Sequence, residues 1–233
     1  MKGKLYLIPA TIGESDKDLV IPIQVQQVVN NIRYYIVENE RTARRQLIQY
    51  GIQIPIDDLH FFELNKHTDR NQISKYLKPC EQEDVGLLSE AGVPAVADPG
   101  SEIVELAHKQ NIKVVPLVGP SSILLALMAS GLNGQSFTFH GYLPVKPTFR
   151  IKKIKELEQQ ANRNNQTQIF IEAPYRNNQL LEDLIKHCSN SIKICIACHI
   201  TQEDELIKTL TVEEWKKAQK PDLHKKPTIF LTL

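Results

Sequence analysis

The sequence predicts an α/β protein built as two α/β domains, with a mainly parallel sheet in the N-terminal one and a mixed sheet in the C-terminal one. Three observations carry this. Short runs rich in β-branched and aromatic residues alternate with helical stretches along the chain, which implies right-handed crossovers and parallel strands. The alternation pauses at Val118 and restarts after Gly119-Pro120-Ser121-Ser122, dividing the chain into domains 1–118 and 119–233. The 233 residues, 42% hydrophobic and 24% charged, have ordinary globular composition and suffice for two cores.

In the first domain, residues 4–8 (KLYLI) form a strand, and Pro9-Ala-Thr-Ile12-Gly13 is its exit loop. A helix over 22–31, a strand over 34–37 and a helix over 41–50 follow, the last capped by Gly51. Strands at 59–63 and 85–89 flank a short helix at 71–77; a helix over 101–110 and a strand over 112–118 complete the domain. Between the fourth strand and its helix lies a loop with two glycines and two prolines. In parallel sheets, ligands sit where strands end. Gly92 and Gly100 allow close backbone approach, and Pro94 and Pro99 stiffen it. By composition alone this segment reads equally well as a surface loop with a helix cap.

In the second domain, Ser121 and Ser122 open an apolar helix that runs to 130 and ends at Gly131. A strand at 137–141, a charged amphipathic helix at 149–161, a strand at 168–172 and a helix at 176–187 follow. Residues 192–200 read as a buried strand and 205–210 as a short one. Thr211 and Glu214 form a capping box before a helix over 213–219, and a strand at 228–232 comes last.

Several function classes are excluded or weakened. The net charge of +1 gives no strong field for steering onto nucleic acid, so any such contact needs local clusters. The N-terminal apolar run is too short for a signal peptide, and the longest later candidate, 123–128, is far short of a membrane span. A soluble, cytoplasmic chain without membrane contact is expected. Cys195-Ile-Ala-Cys198-His199 has the spacing of a c-type haem attachment, and His187 and Cys188 lie close in sequence. Two-residue strand periodicity sets Cys195 and Cys198 on opposite faces, however, which favours free thiols in a reducing compartment over a metal.

The order of motifs resembles the tetrapyrrole-methylase class of S-adenosylmethionine-dependent methyltransferases, and within it the enzymes that methylate a ribose 2′-hydroxyl of a cytidine in 16S ribosomal RNA. The first exit loop, Pro9-Ala-Thr-Ile-Gly13-Glu14, stands where that family has P-T-P-I-G-N. Glu38-Asn-Glu-Arg41 stands for E-D-T-R, and Ser89-Glu90-Ala91-Gly92-Val-Pro94 with Ala97-Asp-Pro-Gly100 for the family's long loop. Pro116-Leu-Val-Gly119-Pro120-Ser121, then Gly141-Tyr-Leu-Pro-Val-Lys146 with Arg150, and Ile171-Glu172-Ala173-Pro174-Tyr-Arg176 complete the six matches. Departures are Val93 and Ala97 for a threonine and a serine, Glu90 for an aspartate, Tyr175 for a histidine, and Asn39-Glu40 for the Asp-Thr pair.

The resemblance implies S-adenosyl-L-methionine as cofactor, folded into a cleft between the domains. The backbone of Pro9, Ile12, Gly13, Ser89, Glu90, Ala91, Gly92, Pro94, Ala97, Gly119, Pro120, Ser121, Ser122, Glu172, Ala173 and Pro174 would hold it. It also implies a homodimer, with the 122–128 helix or the second sheet as contact. Because a sulfonium methyl is already activated, the protein's tasks are alignment and preparation of the nucleophile. Glu38, Lys146, Arg150 and Arg176 are the catalytic candidates, with Glu172 as a cap or cofactor contact. Ribosomal RNA or the small ribosomal subunit is the expected partner. Arg41, Arg44 and Arg45 on one helix form one basic cluster that could meet it; the run of Lys146, Arg150, Lys152, Lys153 and Lys155 forms another. Two further readings stay open: carbon methylation of a tetrapyrrole precursor, and a Cys195/Cys198/His199 metal or haem module.

Overall fold

The computed structural model describes residues 2–65 and 67–233. The chain divides into two compact units, Met1–Ser121 and Ser122–Leu233.

The first unit holds β1 (Lys4–Ile8), α1 (Lys17–Val20), α2 (Ile23–Val29), β2 (Tyr34–Val37), α3 (Glu40–Gln49), β3 (His60–Glu63), α4 (Arg70–Ile73), β4 (Val85–Leu88), α5 (Ser101–Lys109) and β5 (Lys113–Pro116). Its sheet runs β3-β2-β4-β1-β5, and every pairing is parallel. Parallel strands joined by helices bury both sheet faces, which accounts for the unbroken burial of β4. Ile8, Tyr35, Val37 and Leu88 pack on one face with Val25, Val29 and Leu47. Leu5, Ile36, Val85 and Leu87 pack on the other with Ile103 and Ala107. Because all five strands point the same way, the loops after each one emerge at a single edge.

The second unit holds α6 (Ser122–Ser130), β6 (Phe137–Tyr142), α7 (Pro147–Asn164), β7 (Thr167–Ile171), α8 (Asn177–His187), β8 (Lys193–Cys198), β9 (Leu206–Thr211), α9 (Val212–Lys217) and β10 (Thr228–Thr232). Its sheet runs β6-β7-β10-β8-β9, parallel between β6 and β7 and antiparallel thereafter. The mixed sheet agrees with the sequence reading. Phe170, Ile194, Ile196, Cys198 and Phe230 face a core that includes Ile154, Leu180 and Trp215; Ile169, Cys195, Ala197 and Leu231 face Ala126 and Leu127 of α6. The Thr211–Glu214 capping box forms, starting α9 one residue earlier than expected. Two helices also differ. The stretch 71–77 makes only the single turn of α4 before the chain tightens into a 3-10 turn at Lys78–Glu81. Helix α7 starts two residues earlier than expected, at Pro147, whose missing N–H costs nothing at that position.

The four cysteines are buried free thiols. Cys195 and Cys198 lie in different cores, on opposite faces of β8, so one metal ion could not take both together with His199. His199 instead directs Nδ1 at the Asp204 carboxylate, 2.7 Å away. Burial pushes the Cys188 thiol up to about 12 and the Cys80 thiol to about 11, the signature of structural rather than reactive cysteine. Among the described residues no helix is long and apolar enough to cross a membrane.

Candidate functional site

At the loop edge of the first unit, three segments predicted to hold the cofactor converge. The exit loop of β1 and the glycine-proline loop after β4 are stitched by a two-way bridge: Ala10 N–H donates to Gly92 O at 2.7 Å and Gly92 N–H to Ala10 O at 3.2 Å. Gly92 has φ +72°, and a Cβ there would meet Pro120 O at 3.4 Å, so the turn after β5 lies against the same spot. At Gly119 a Cβ would overlap Cβ and Cγ of Pro9. Only glycine lets the β1 and β5 exits pass this closely.

The β4 loop is shaped by Asp98, which sequence reasoning did not single out. Its Oδ1 accepts from Ala95 N–H at 2.6 Å and Gly100 N–H at 2.9 Å, while Ser89 Oγ, 4% exposed, donates to Ala91 O and lies 3.3 Å from Oδ2. Within the turn this carboxylate closes, Ala95 and Ala97 stand at φ 64° and 63°, a left-handed conformation that non-glycine residues adopt only when the surroundings enforce it. The readable signal was an aspartate between two prolines in a loop that must turn back on itself. Ser89, Gly92 and Pro94 are buried there, Glu90, Ala91 and Ala97 exposed; Ile12 is half-buried and Gly13 exposed.

Beside this loop lies a cavity of about 520 Å³, lined among others by Glu38, Asn65, Thr68, Arg70, Pro99 and Glu102. Asn65 Nδ2 donates to Glu38 O at 3.3 Å, and Arg70 pairs with Glu102. Burial raises the Glu38 carboxyl above its usual range, and the charges of Asp98 and Glu90 add to the effect. Asn39 caps α3, its Oδ1 accepting from Thr42 N–H at 3.1 Å, and Thr42 Oγ1 donates to Glu90 at 2.8 Å. The departure from the family's Asp-Thr pair thus still yields a working cap and ties α3 to the β4 loop. On α3, Arg44 forms surface ion pairs with Glu40 and Asp57, while Arg41 and Arg45 stay exposed.

In the second unit the candidates separate. Arg150 is 4% exposed, with Nε 2.7 Å from Asp183 Oδ2 and NH1 2.9 Å from Val145 O. There it ties α7 to α8, with Nε and NH2 on the Asp183 carboxylate and NH1 on a main-chain carbonyl. Lys153 pairs with Glu156, so the basic run is partly neutralised on its own helix. Lys146 stays exposed just before α7. Glu172 is buried at the end of β7; its Oε1 accepts from Ala173 N–H at 2.7 Å and from Arg176 NH2 at 2.6 Å. Ala173 is half-buried and Pro174 exposed. Ser121 and Ser122 are half-buried where the two units join in sequence.

The family model for tetrapyrrole (corrin/porphyrin) methylases matches residues 30–216. The chain belongs to this family. Among curated proteins, it is 32% identical over 210 residues to ribosomal RNA small subunit methyltransferase I of Halalkalibacterium halodurans, covering 90% of this chain and 69% of that protein. The same-named proteins of Escherichia coli O157:H7 and Pseudomonas aeruginosa are 30% and 28% identical over 214 and 213 residues, each match covering 91% of this chain and 71% of the relative. Among solved structures, the crystal structure of the methyltransferase CobJ superposes with a TM-score of 0.64 at 17% identity, over 99% of this chain and 93% of that one. That likeness establishes the tetrapyrrole-methylase fold, with its parallel first sheet and mixed second sheet. As a member of this family the chain is a methyltransferase.

Proposed function

We propose that this chain uses S-adenosyl-L-methionine to methylate a ribose 2′-hydroxyl of small-subunit ribosomal RNA. The observation that carries the reading is the main-chain cradle at Ala10, Gly92 and Pro120 in a chain that is 28–32% identical to proteins named as small-subunit rRNA methyltransferases. The cradle suits a nucleoside, since its edge presents peptide groups rather than side chains. Glu38, Glu90 and Asp98 close by suit a cationic sulfonium. When bound, S-adenosyl-L-methionine supplies an activated methyl group. The chain's own residues orient the acceptor and manage its proton. Glu38 takes the hydroxyl proton in this reading: its raised carboxyl lies nearer neutrality than an ordinary glutamate, the direction a general base needs. A homodimer in the cytoplasm completes the reading; Met128 on α6, 78% exposed, supports the first part and sedimentation tests it.

Labelled S-adenosyl-L-methionine offered with unmethylated small subunits, and separately with a uroporphyrinogen-type substrate, tests the function. Label in the RNA, incorporated more slowly and with a changed pH–rate profile on Glu38→Gln, is the expected result. Label in the porphyrin alone favours tetrapyrrole methylation, the activity in the family's printed description.

A further inference from the structure

The C-terminal ends of the parallel strands β6 and β7 lie side by side, Tyr142 opposite Ile171. Three aromatic rings stand exposed along the chain leaving these ends. Tyr142 is 65% exposed, Phe149 in the first turn of α7 is 58% and Tyr175 is 61%. Tyr142 ends β6, Phe149 opens α7 and Tyr175 follows β7, and large rings this exposed suit a partner surface. The charge around them leans positive, with the Asp222 carboxylate held by Asn178 at 2.8 Å as an exposed acid nearby. Segments 142–149 and 173–177 contain Lys146 and Arg176 and no carboxylate. Lys225 joins them, its N–H donating to Pro174 O at 3.0 Å. A second acid, Glu172, is buried and already paired with Arg176, which in turn stacks over the Tyr175 ring at 4.8 Å. A second, independent observation falls at the same place. Glu172 Oε2, Arg176 Nε and Asn177 Oδ1 are buried polar atoms without a hydrogen-bond partner, and the Glu172 side chain is fully buried. Orphaned groups of this kind are rare in folded proteins and leave room for a polar partner from outside the chain.

We propose that this edge of the second unit receives unpaired RNA. Bases stack on Tyr142, Phe149 and Tyr175; Lys146 and Lys225 neutralise phosphates; and Glu172 Oε2 accepts a hydrogen bond from a hydroxyl or amino group of the nucleotide. Stacking on aromatic side chains is how unpaired bases are held without sequence preference, and a paired helix does not offer its base faces. The proposal rests on the RNA reading above and adds where, and in which conformation, the RNA is bound.

The test uses the full chain and a 12-nucleotide single-stranded RNA carrying 2-aminopurine, with a duplex of the same length for comparison. Wild type is expected to bind the single strand more tightly and quench the probe. Each of Tyr142→Ala, Phe149→Ala and Tyr175→Ala should weaken binding by about 5- to 100-fold and relieve the quenching, while Tyr142→Phe and Tyr175→Phe retain both. Lys146→Ala should lower the salt slope of log K by about 0.7. Melting temperature and calorimetric binding of S-adenosyl-L-methionine, unchanged in these variants, certify the fold. Alanine variants that bind RNA as wild type does overturn the proposal, as does equal loss for duplex and single strand. A variant that turns from dimer to monomer with RNA affinity intact also overturns it, making the patch a contact between copies. If wild type methylates no small subunits, the RNA reading itself fails; if it methylates them with all three rings dispensable, only this inference does.

Discussion

The loop edges of the two units are built in opposite ways. In the first, the edge is made by main chain. Five parallel strands deliver their exit loops to one side, glycines let those loops touch, and the Asp98 carboxylate closes the longest of them on itself. Its polar groups are largely satisfied from within, leaving a shaped peptide surface. In the second unit, the edge at β6 and β7 is made by side chains: rings in solvent, the exposed Lys146, and buried polar atoms with no partner inside the fold. A shape built by backbone suits a small rigid molecule held in one pose. A surface built by protruding side chains suits a long, flexible one.

The comparison can be broken from several sides. Arg150→Ala has the largest expected effect. It strands Asp183 as an unpaired buried charge between α7 and α8, at a cost of about 3–5 kcal/mol. Hydrogen exchange should quicken in those helices while β1, β4 and β5 keep their protection. Replacing both partners by apolar residues should recover most of the loss. Equal recovery of stability and activity fits a tie; recovery of stability alone would return Arg150 to the chemistry.

Gly119→Ala comes next. The added methyl overlaps Pro9, so the β1 and β5 exits must separate, at about 1–3 kcal/mol. Calorimetry should find no binding of S-adenosyl-L-methionine, whereas RNA affinity persists. Asp98→Ala removes the acceptor of two main-chain donors and should cost on the order of 1–2 kcal/mol. Here the cofactor should bind weakly rather than not at all, with exchange rising over 95–100 only.

The smallest effect is a pH dependence. The folded pKa of Glu38 lies above its unfolded value, so the stability tied to its protonated form is complete below the ordinary carboxylate range and is lost as pH rises through the raised value. Glu38→Gln should therefore melt higher than wild type at about pH 8, with the gap closing towards about pH 4. Melting curves that stay parallel across this range would remove Glu38 from its buried acidic surroundings.

Periodicity made most of the elements readable. Residues 228–232 and 122–130 fall where the apolar pattern and the Gly131 stop put them, and Thr211 with Glu214 announced the start of α9. What stayed hidden depends on contacts distant in sequence. Nothing local distinguishes Arg150 from a solvated lysine or arginine at a helix start; its partner sits 33 residues away on another helix. The glycine-proline loop advertised a tailored turn, but its closure on Asp98 and its bridge to Ala10 arise only once β1 and β4 are neighbours. The exposed rings on the second unit escaped notice because Tyr142 and Phe149 lie in one stretch of sequence and Tyr175 in another, brought near each other by the pairing of β6 with β7.

The bridge between Ala10 and Gly92 has a consequence for redesign. A nest of peptide groups offers few side chains to swap, so point substitutions can abolish its grip far more readily than retune it. Bulkier analogues of the methyl donor would gain entry only through altered loop length or a relocated glycine.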